Sequence, residues 1–228
     1  MTTSGTYNNF LAEGDMVLEA FDRCGIRPSE ITRERMASCK RSFNLEMQTW
    51  SIKGGVNLWA VELYSITLVQ GQSTYALPAN VVSVLDVYIN DGSSDRYMTP
   101  MSRTDYAMQS NKTSQSPPTT YWFNRQTPAA QMVLWQVPDG GTYTLNMYVM
   151  RQLQDVNLLG NETADIPYRF QDALVACVAK RLALKFAAAK FALLKTEAQE
   201  AFELANIDDR EHVDLDLTPV LNNYYRGT

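Results

Sequence analysis

The one histidine of the chain, His212, stands between Glu211 and Asp214, so any Ser-His-Asp or Cys-His nucleophile system would have to run through it. Its place beside a helix end reads as a solvated histidine instead. Cys24, Cys39 and Cys177 are odd in number and show no C-x-x-C spacing, which points to buried, reduced thiols rather than a disulfide framework or a zinc site. "DGSSD", residues 91–95, starts like a calcium loop but lacks the glycine at the sixth position and the glutamate at the twelfth. A hairpin turn accounts for it. The carboxylates of "EAQEAFELANIDDREHVD" (197–214) could supply an acid pair for glycoside hydrolysis, but such a run at a helix end reads as a solvated face. Neither G-x-x-x-x-G-K-[ST] nor G-x-G-x-x-G occurs. The expectation is no enzyme, no catalytic residue, no cofactor and no metal, so the function must come from architecture.

Composition narrows the partners. Of 228 residues, 20 are Lys or Arg and 25 Asp or Glu, a formal net charge of -5. A protein that grips DNA by its phosphates carries a basic excess, because affinity there comes from released counterions. This chain is not expected to hold DNA tightly, which leaves open DNA passing close by a wall that repels it slightly. The opening "MTTSGTYNNF" lacks a basic and apolar leader, and no apolar stretch reaches the ~18 residues of a membrane span. A protein made in a cytoplasm, away from membranes, is expected, and the sequons at Asn111 and Asn161 then carry no glycan.

The elements read as helices, then strands, then a helix and a tail, an α+β chain. "GDMVLEAFDR" (14–23) places Val17, Leu18 and Phe21 at helical spacing and meets Gly25 as a C-cap. A second helix, about five turns long, follows Ser29 and Thr32 as N-cap candidates, with Ile31, Met36, Cys39, Phe43, Met47 and Trp50 on its apolar face, and ends near Lys53-Gly54-Gly55. From Trp59 the period changes to two. "WAVELYSITLV", "VVSVLDVYI" closed by Asn90-Asp91-Gly92, "RYMTPMS", "YWFNR", "QMVLWQ" and "TYTLNMYVMRQL" read as strands. "GQSTYALP" adds a turn and an extended pair, Ser102 caps one short helix, and "NKTSQSPPTT" is an exposed loop. With Asp165 as N-cap candidate and Pro167 in the first turn, a single helix of roughly 40 residues is then expected, running to about Asn206 or Asp209. The division that follows is 1–58 helical, 59–158 β-rich, 159–212 a long helix completing the helical part, and 213–228 an extended arm.

Within the long helix, Lys180, Lys185, Lys190 and Lys195 recur at intervals of five. Each step turns about 140°, so the lysines spiral and leave no single polar face. The bulky apolar residues do sort. Val175, Val178, Leu182, Phe186, Leu193 and Leu204 form one stripe, and Cys177, Leu184, Phe191, Leu194 and Phe202 another on nearly the opposite side. Two covers for the second stripe are open: the first two helices sandwich the long one, or a neighbouring copy packs on it. The expectation is the neighbouring copy, with Leu184, Phe191, Leu194 and Phe202 at the subunit interface and a heterologous contact that closes into a ring. The lysines would then lie in the seams and reach acidic neighbours.

The arrangement of a short helical start, a β middle containing "GQSTYALPANVVSVLDVYI" and a helix opened by "IPYRFQDALVACVAKRLALKF" resembles the head-to-tail adaptor, or connector, proteins of short-tailed bacteriophages. The resemblance implies a structural virion protein at the head-tail junction: a twelve-fold homo-oligomeric ring docked under the portal protein, extending the DNA channel and offering a platform to tail nozzle or tail fibre proteins, without cofactor, sequence-specific DNA binding or membrane. In the arm, Val213, Leu215 and Leu217 alternate with Asp214 and Asp216 before Pro219, and Tyr224 and Tyr225 follow. Such a segment suits strand addition or a groove, so these five residues are the expected portal-binding set. A tail nozzle or tube subunit and, more distantly, a cytoplasmic enzyme stay open as other classes.

Overall fold

The computed structural model describes residues 4–6, 9–52, 58–158 and 162–209. Two buried apolar clusters organise them, one among helices and one between two sheets.

Helix α1 (Glu13–Cys24) buries Met16, Val17, Ala20, Phe21 and Cys24, the i, i+4 face that its periodicity predicts. It ends at Gly25, whose φ of +78° lets its N–H reach the Asp22 carbonyl at 2.8 Å while the Ile26 N–H reaches the Phe21 carbonyl at 3.0 Å. Helix α2 (Arg33–Ile52) starts where Thr32 Oγ1 accepts from the Arg35 N–H at 3.3 Å, and it buries Cys39, Phe43, Met47 and Trp50 in one row. Ser29 lies in a short 3-10 turn, Pro28–Glu30, ahead of the helix.

The β part forms two four-stranded sheets. β1 (Val61–Thr67), β3 (Val81–Asn90), β4 (Asp95–Tyr97) and β8 (Thr144–Arg151) make one in the order β1-β8-β3-β4. β2 (Thr74–Ala76), β5 (Thr99–Pro100), β6 (Thr120–Asn124) and β7 (Gln131–Trp135) make the other in the order β2-β7-β6-β5. The single return strand expected at 96–102 is in fact two. β4 pairs antiparallel with β3, β5 pairs parallel with β6, and Met98 between them is fully buried where the chain changes sheet. Period-two patterning does the rest: Val87 and Ile89 of β3, Met132 and Leu134 of β7, and Leu145, Met147 and Val149 of β8 fill the space between the sheets. Helix α3 (Arg103–Met108) has the expected cap, with Ser102 Oγ accepting from the Asp105 N–H at 3.1 Å and Asp105 accepting in return from the Ser102 N–H.

The long C-terminal helix is corrected to two. α4 (Gln171–Phe186) stops at Ala187, whose φ of −146° and ψ of 54° are not helical; a 3-10 turn over Ala188–Lys190 follows, then α5 (Phe191–Asp208). Cys177 of α4 and Ala198 of α5, nearly equidistant from the break, touch through Sγ and a carbonyl at 3.9 Å, as in an antiparallel hairpin. No proline or glycine causes the break, and the alanines around it favour helix. Burial outweighs that preference: folding back seats Phe202 edge-on against Trp50 at 5.1 Å, beside Phe170 at 5.7 Å from the same ring. Asp165 does not cap this segment. It accepts from Arg151 at the end of β8 and from the Gln154 N–H.

The stretch after β8 crosses the helices as extended chain and takes its backbone partners from side chains. Asn44 donates to the Val156 carbonyl at 3.1 Å and accepts from its N–H at 2.7 Å, Ser51 Oγ accepts from the Leu153 N–H at 3.2 Å, and the buried Glu13 accepts from the Leu158 N–H at 2.9 Å. These bonds tie the β part to the helices.

Two stability outcomes follow. Gly25→Ala forces a Cβ into a left-handed conformation and within 2.6 Å of Lys190 Nζ; a loss of about 1 kcal/mol is expected in denaturant melts, with Gly25→Asn milder. The Arg151 hydrogen bond holds the Asp165 carboxyl below its usual range, so its contribution is present above the ordinary carboxylate pKa and lost as pH falls through the lowered one. Asp165→Asn should therefore cost about 1–2 kcal/mol at pH 7, and melts of the variant and parent should converge as acid protonates Asp165.

Candidate functional site

Reactive side chains are placed for structure. All three cysteines are buried thiols; burial raises Cys24 and pushes Cys39 up to about 12, which keeps both protonated at neutral pH. Asp91 accepts from the backbone N–H groups of Ser93 and Ser94 and from the Ser93 hydroxyl, which lower its carboxyl to about 2 and close the hairpin between β3 and β4. Among the described residues no three His, Cys, Asp or Glu side chains stand together as a metal site, and no helix is long and apolar enough to cross a membrane. His212, with Glu211, lies outside the described residues, as do Lys53-Gly54-Gly55 and the whole expected portal-binding set, Val213, Leu215, Leu217, Tyr224 and Tyr225.

What remains is surface, and it is set by α4. From Ala173 to Ala179 every residue of α4 is buried, with Leu182 and Ala183 buried beyond them. α1, α2 and α5 supply the covers, so the first two helices do pack on this segment from within the chain. Its cations lie in the seams. Lys180 stands 3.9 Å from Glu46 of α2, and Arg181 is paired with the other Glu46 oxygen. Lys185 donates to the Ser42 and Ser38 hydroxyls at 2.6 and 3.0 Å, and Lys190 to the Arg23 carbonyl at 3.3 Å. Among the described residues Lys180 is the one of these three lysines that stands by a carboxylate; hydroxyls and a carbonyl serve Lys185 and Lys190. Lost hydration, with Arg41 nearby, lowers the Lys185 pKa.

Of the four residues expected at a subunit interface, two are turned inward. Leu194 is 3% exposed and Phe202 9%, both inside the helical core, and Phe191 is half-buried against it. Leu184 stays open at 61%. Conversely Leu193 and Leu204, assigned to the inward stripe, are 70% and 72% exposed, and Ile207 is exposed beside them. The break at Ala187 explains the exchange, because helical phase carried through a non-helical residue no longer applies. Counted afresh from Phe191, Leu194, Ala198, Phe202 and Ala205 fall in one i, i+4, i+8, i+11 row, and Leu193, Leu204 and Ile207 lie roughly 140° away. The small Ala198 and Ala205 in that row bring α5 close to α4, a signal present in the sequence that counting over one continuous helix hides.

A second open region is the outer face of the first sheet, where Leu63 pairs across from Tyr148 and Tyr88 across from Tyr97. Leu63, Tyr97 and Tyr148 are exposed, and the Tyr88 and Tyr148 rings stand 6.4 Å apart. Neither region holds a catalytic arrangement; both are faces on which another protein can sit.

Comparison with known proteins agrees. No curated protein matches the sequence. The family model of the SU10 adaptor protein matches residues 38–220, a span that takes in most of α2, both sheets and the α4–α5 hairpin. This chain belongs to the SU10 adaptor protein family, and is a structural phage protein of the head-tail adaptor kind.

Proposed function

We propose that copies of this chain close into a ring beneath the portal, extend the DNA channel and join the head to the tail. The observation that carries this reading is the exposed row of Leu193, Leu204 and Ile207 on α5, with Leu184 on α4, in a chain whose central helix is already covered from Ala173 to Ala179 by its own elements. Large aliphatic side chains in a row on one rigid helix are worth covering, at about 1.5–3 kcal/mol for each one fully buried. The surface that receives them on the next copy is a different one, so the contact is heterologous and closes by rotation, twelve-fold in this reading. The net charge of -5 suits a channel wall that DNA slides past.

In the same reading the helical part (1–58 with 159–212) carries the ring contacts and the β part (59–158) faces tail nozzle or tail fibre proteins. The arm, 213–228, takes the portal through Val213, Leu215, Leu217, Tyr224 and Tyr225. The protein then resides in the virion at the head-tail junction and performs no catalysis.

The test pairs two variants. Leu193→Glu with Leu204→Glu should melt within about 0.5 kcal/mol of the parent, since both are surface positions, yet fail to form rings on purified portal by sizing and electron microscopy. Leu194→Glu should unfold. Rings formed normally by the double variant would remove α5 from the interface.

A further inference from the structure

A cavity of about 1080 Å³ lies between α1, α4 and the N-terminal segment, lined among others by Leu11, Asp15, Leu18, Asp22 and Gln171. Its composition is that of a peptide groove rather than a gap. Asp15, Leu18 and Asp22 recur at i, i+3 and i+7, so one face of α1 presents two carboxylates with a leucine between them. Glu19, Asp172 and Arg23 also line the cavity, and Arg23 engages both carboxylates, at 3.1 and 2.6 Å, so its charge is already met. Asp15 and Asp22 are exposed, and among the described residues no cation pairs with either carboxylate.

The second observation is Gln171. It is 6% exposed, its Oε1 accepts from the Leu11 N–H at 3.1 Å, and its Nε2 is buried with no acceptor. A side-chain amide that accepts from one extended backbone and holds its donor unused is half of a rung between two extended chains. A buried donor without an acceptor is a standing cost that a backbone carbonyl brought into the groove removes.

We propose that this groove takes an extended segment of a partner protein in which Lys or Arg alternates with aliphatic residues. The segment's carbonyl accepts from Gln171 Nε2, its cations meet Asp15 and Asp22, and its aliphatic side chains lie on Leu18. α1, with 12 residues, is long enough to span about five residues of such a strand. The chain's own arm is a poor occupant, since it offers Asp214 and Asp216 to a groove that is already acidic. The inference is independent of the ring and is tested on the full chain alone.

The probe is a fluorescein-labelled hexapeptide of alternating leucine and lysine, with a leucine–glutamate peptide as its opposite, titrated by anisotropy. Saturable binding of the lysine peptide, with none of the glutamate peptide, is expected. Asp15→Asn with Asp22→Asn should weaken it at least about 10-fold, as two charge-assisted contacts are lost, whereas Glu200→Gln with Glu203→Gln on α5 should leave it unchanged. Gln171→Met, checked for an intact fold by circular dichroism, should weaken it as well. Equal binding of both peptides, equal losses from the α5 control, or no loss in the Asp15/Asp22 variant would overturn the proposal. So would self-association that depends on Asp15 and Asp22 without peptide, because the groove would then belong to a second copy.

Discussion

A helix that is apolar on every side cannot rest on a surface; it must be surrounded. The first half of α4 is such a stretch, apolar and buried without interruption from Ala173 to Ala179, and the rest of the helical part is arranged to meet that demand. α1 and α2 cover it from the N-terminal end of the chain, and α5 turns back at Ala187 to cover it from the other. Once α4 is enclosed, its cations have nowhere to lie but the seams, where Lys180 and Arg181 meet the buried Glu46 and Lys185 meets Ser38 and Ser42. The even lysine spacing runs over two helices: Lys180 and Lys185 reach the gaps beside α4, Lys190 lies in the turn after it, and Lys195 is exposed on α5.

The same closure defines what is left for other proteins. α5 uses Leu194, Ala198, Phe202 and Ala205 against the core and turns Leu193, Leu204 and Ile207 outward. The sheets form a separate core and are tied back to the helices through the crossing strand, with Asn44, Ser51 and Glu13 satisfying its backbone. Arg151 strengthens this tie by holding Glu62 of β1 at 2.6 Å together with Asp165 ahead of α4.

Much of this was legible in local chemistry. The Gly25 cap, the Thr32 start, the Ser102 capping box and the Asn90-Asp91-Gly92 turn are each specified by a few adjacent residues, and the structure has them where the sequence puts them. The strands were legible by period, but the division of β4 from β5 was not, because changing sheets depends on which neighbours are available and not on alternation. The break at Ala187 was hidden for a related reason: Ala-rich sequence favours helix, and only the tertiary gain of seating Phe202 on Trp50 selects the hairpin. That one missed break exchanged Leu193 and Leu204 for Leu194 and Phe202 on the exposed face. Gln171 and its unused donor carry no sequence signal, since the amide's environment comes from residues far away in the chain.

In the proposed ring α5 faces its own core with one row of side chains and a neighbouring copy with another. Single-cysteine reactivity tests it directly, because the three native thiols are buried and contribute little background. Leu193→Cys and Leu194→Cys would be labelled with a maleimide in the free chain and in rings assembled on portal. Leu193→Cys should react fast in the free chain and be protected in the ring, while Leu194→Cys should be protected in both. Equal reactivity at Leu193→Cys before and after assembly, or fast labelling of Leu194→Cys in the folded free chain, would contradict it.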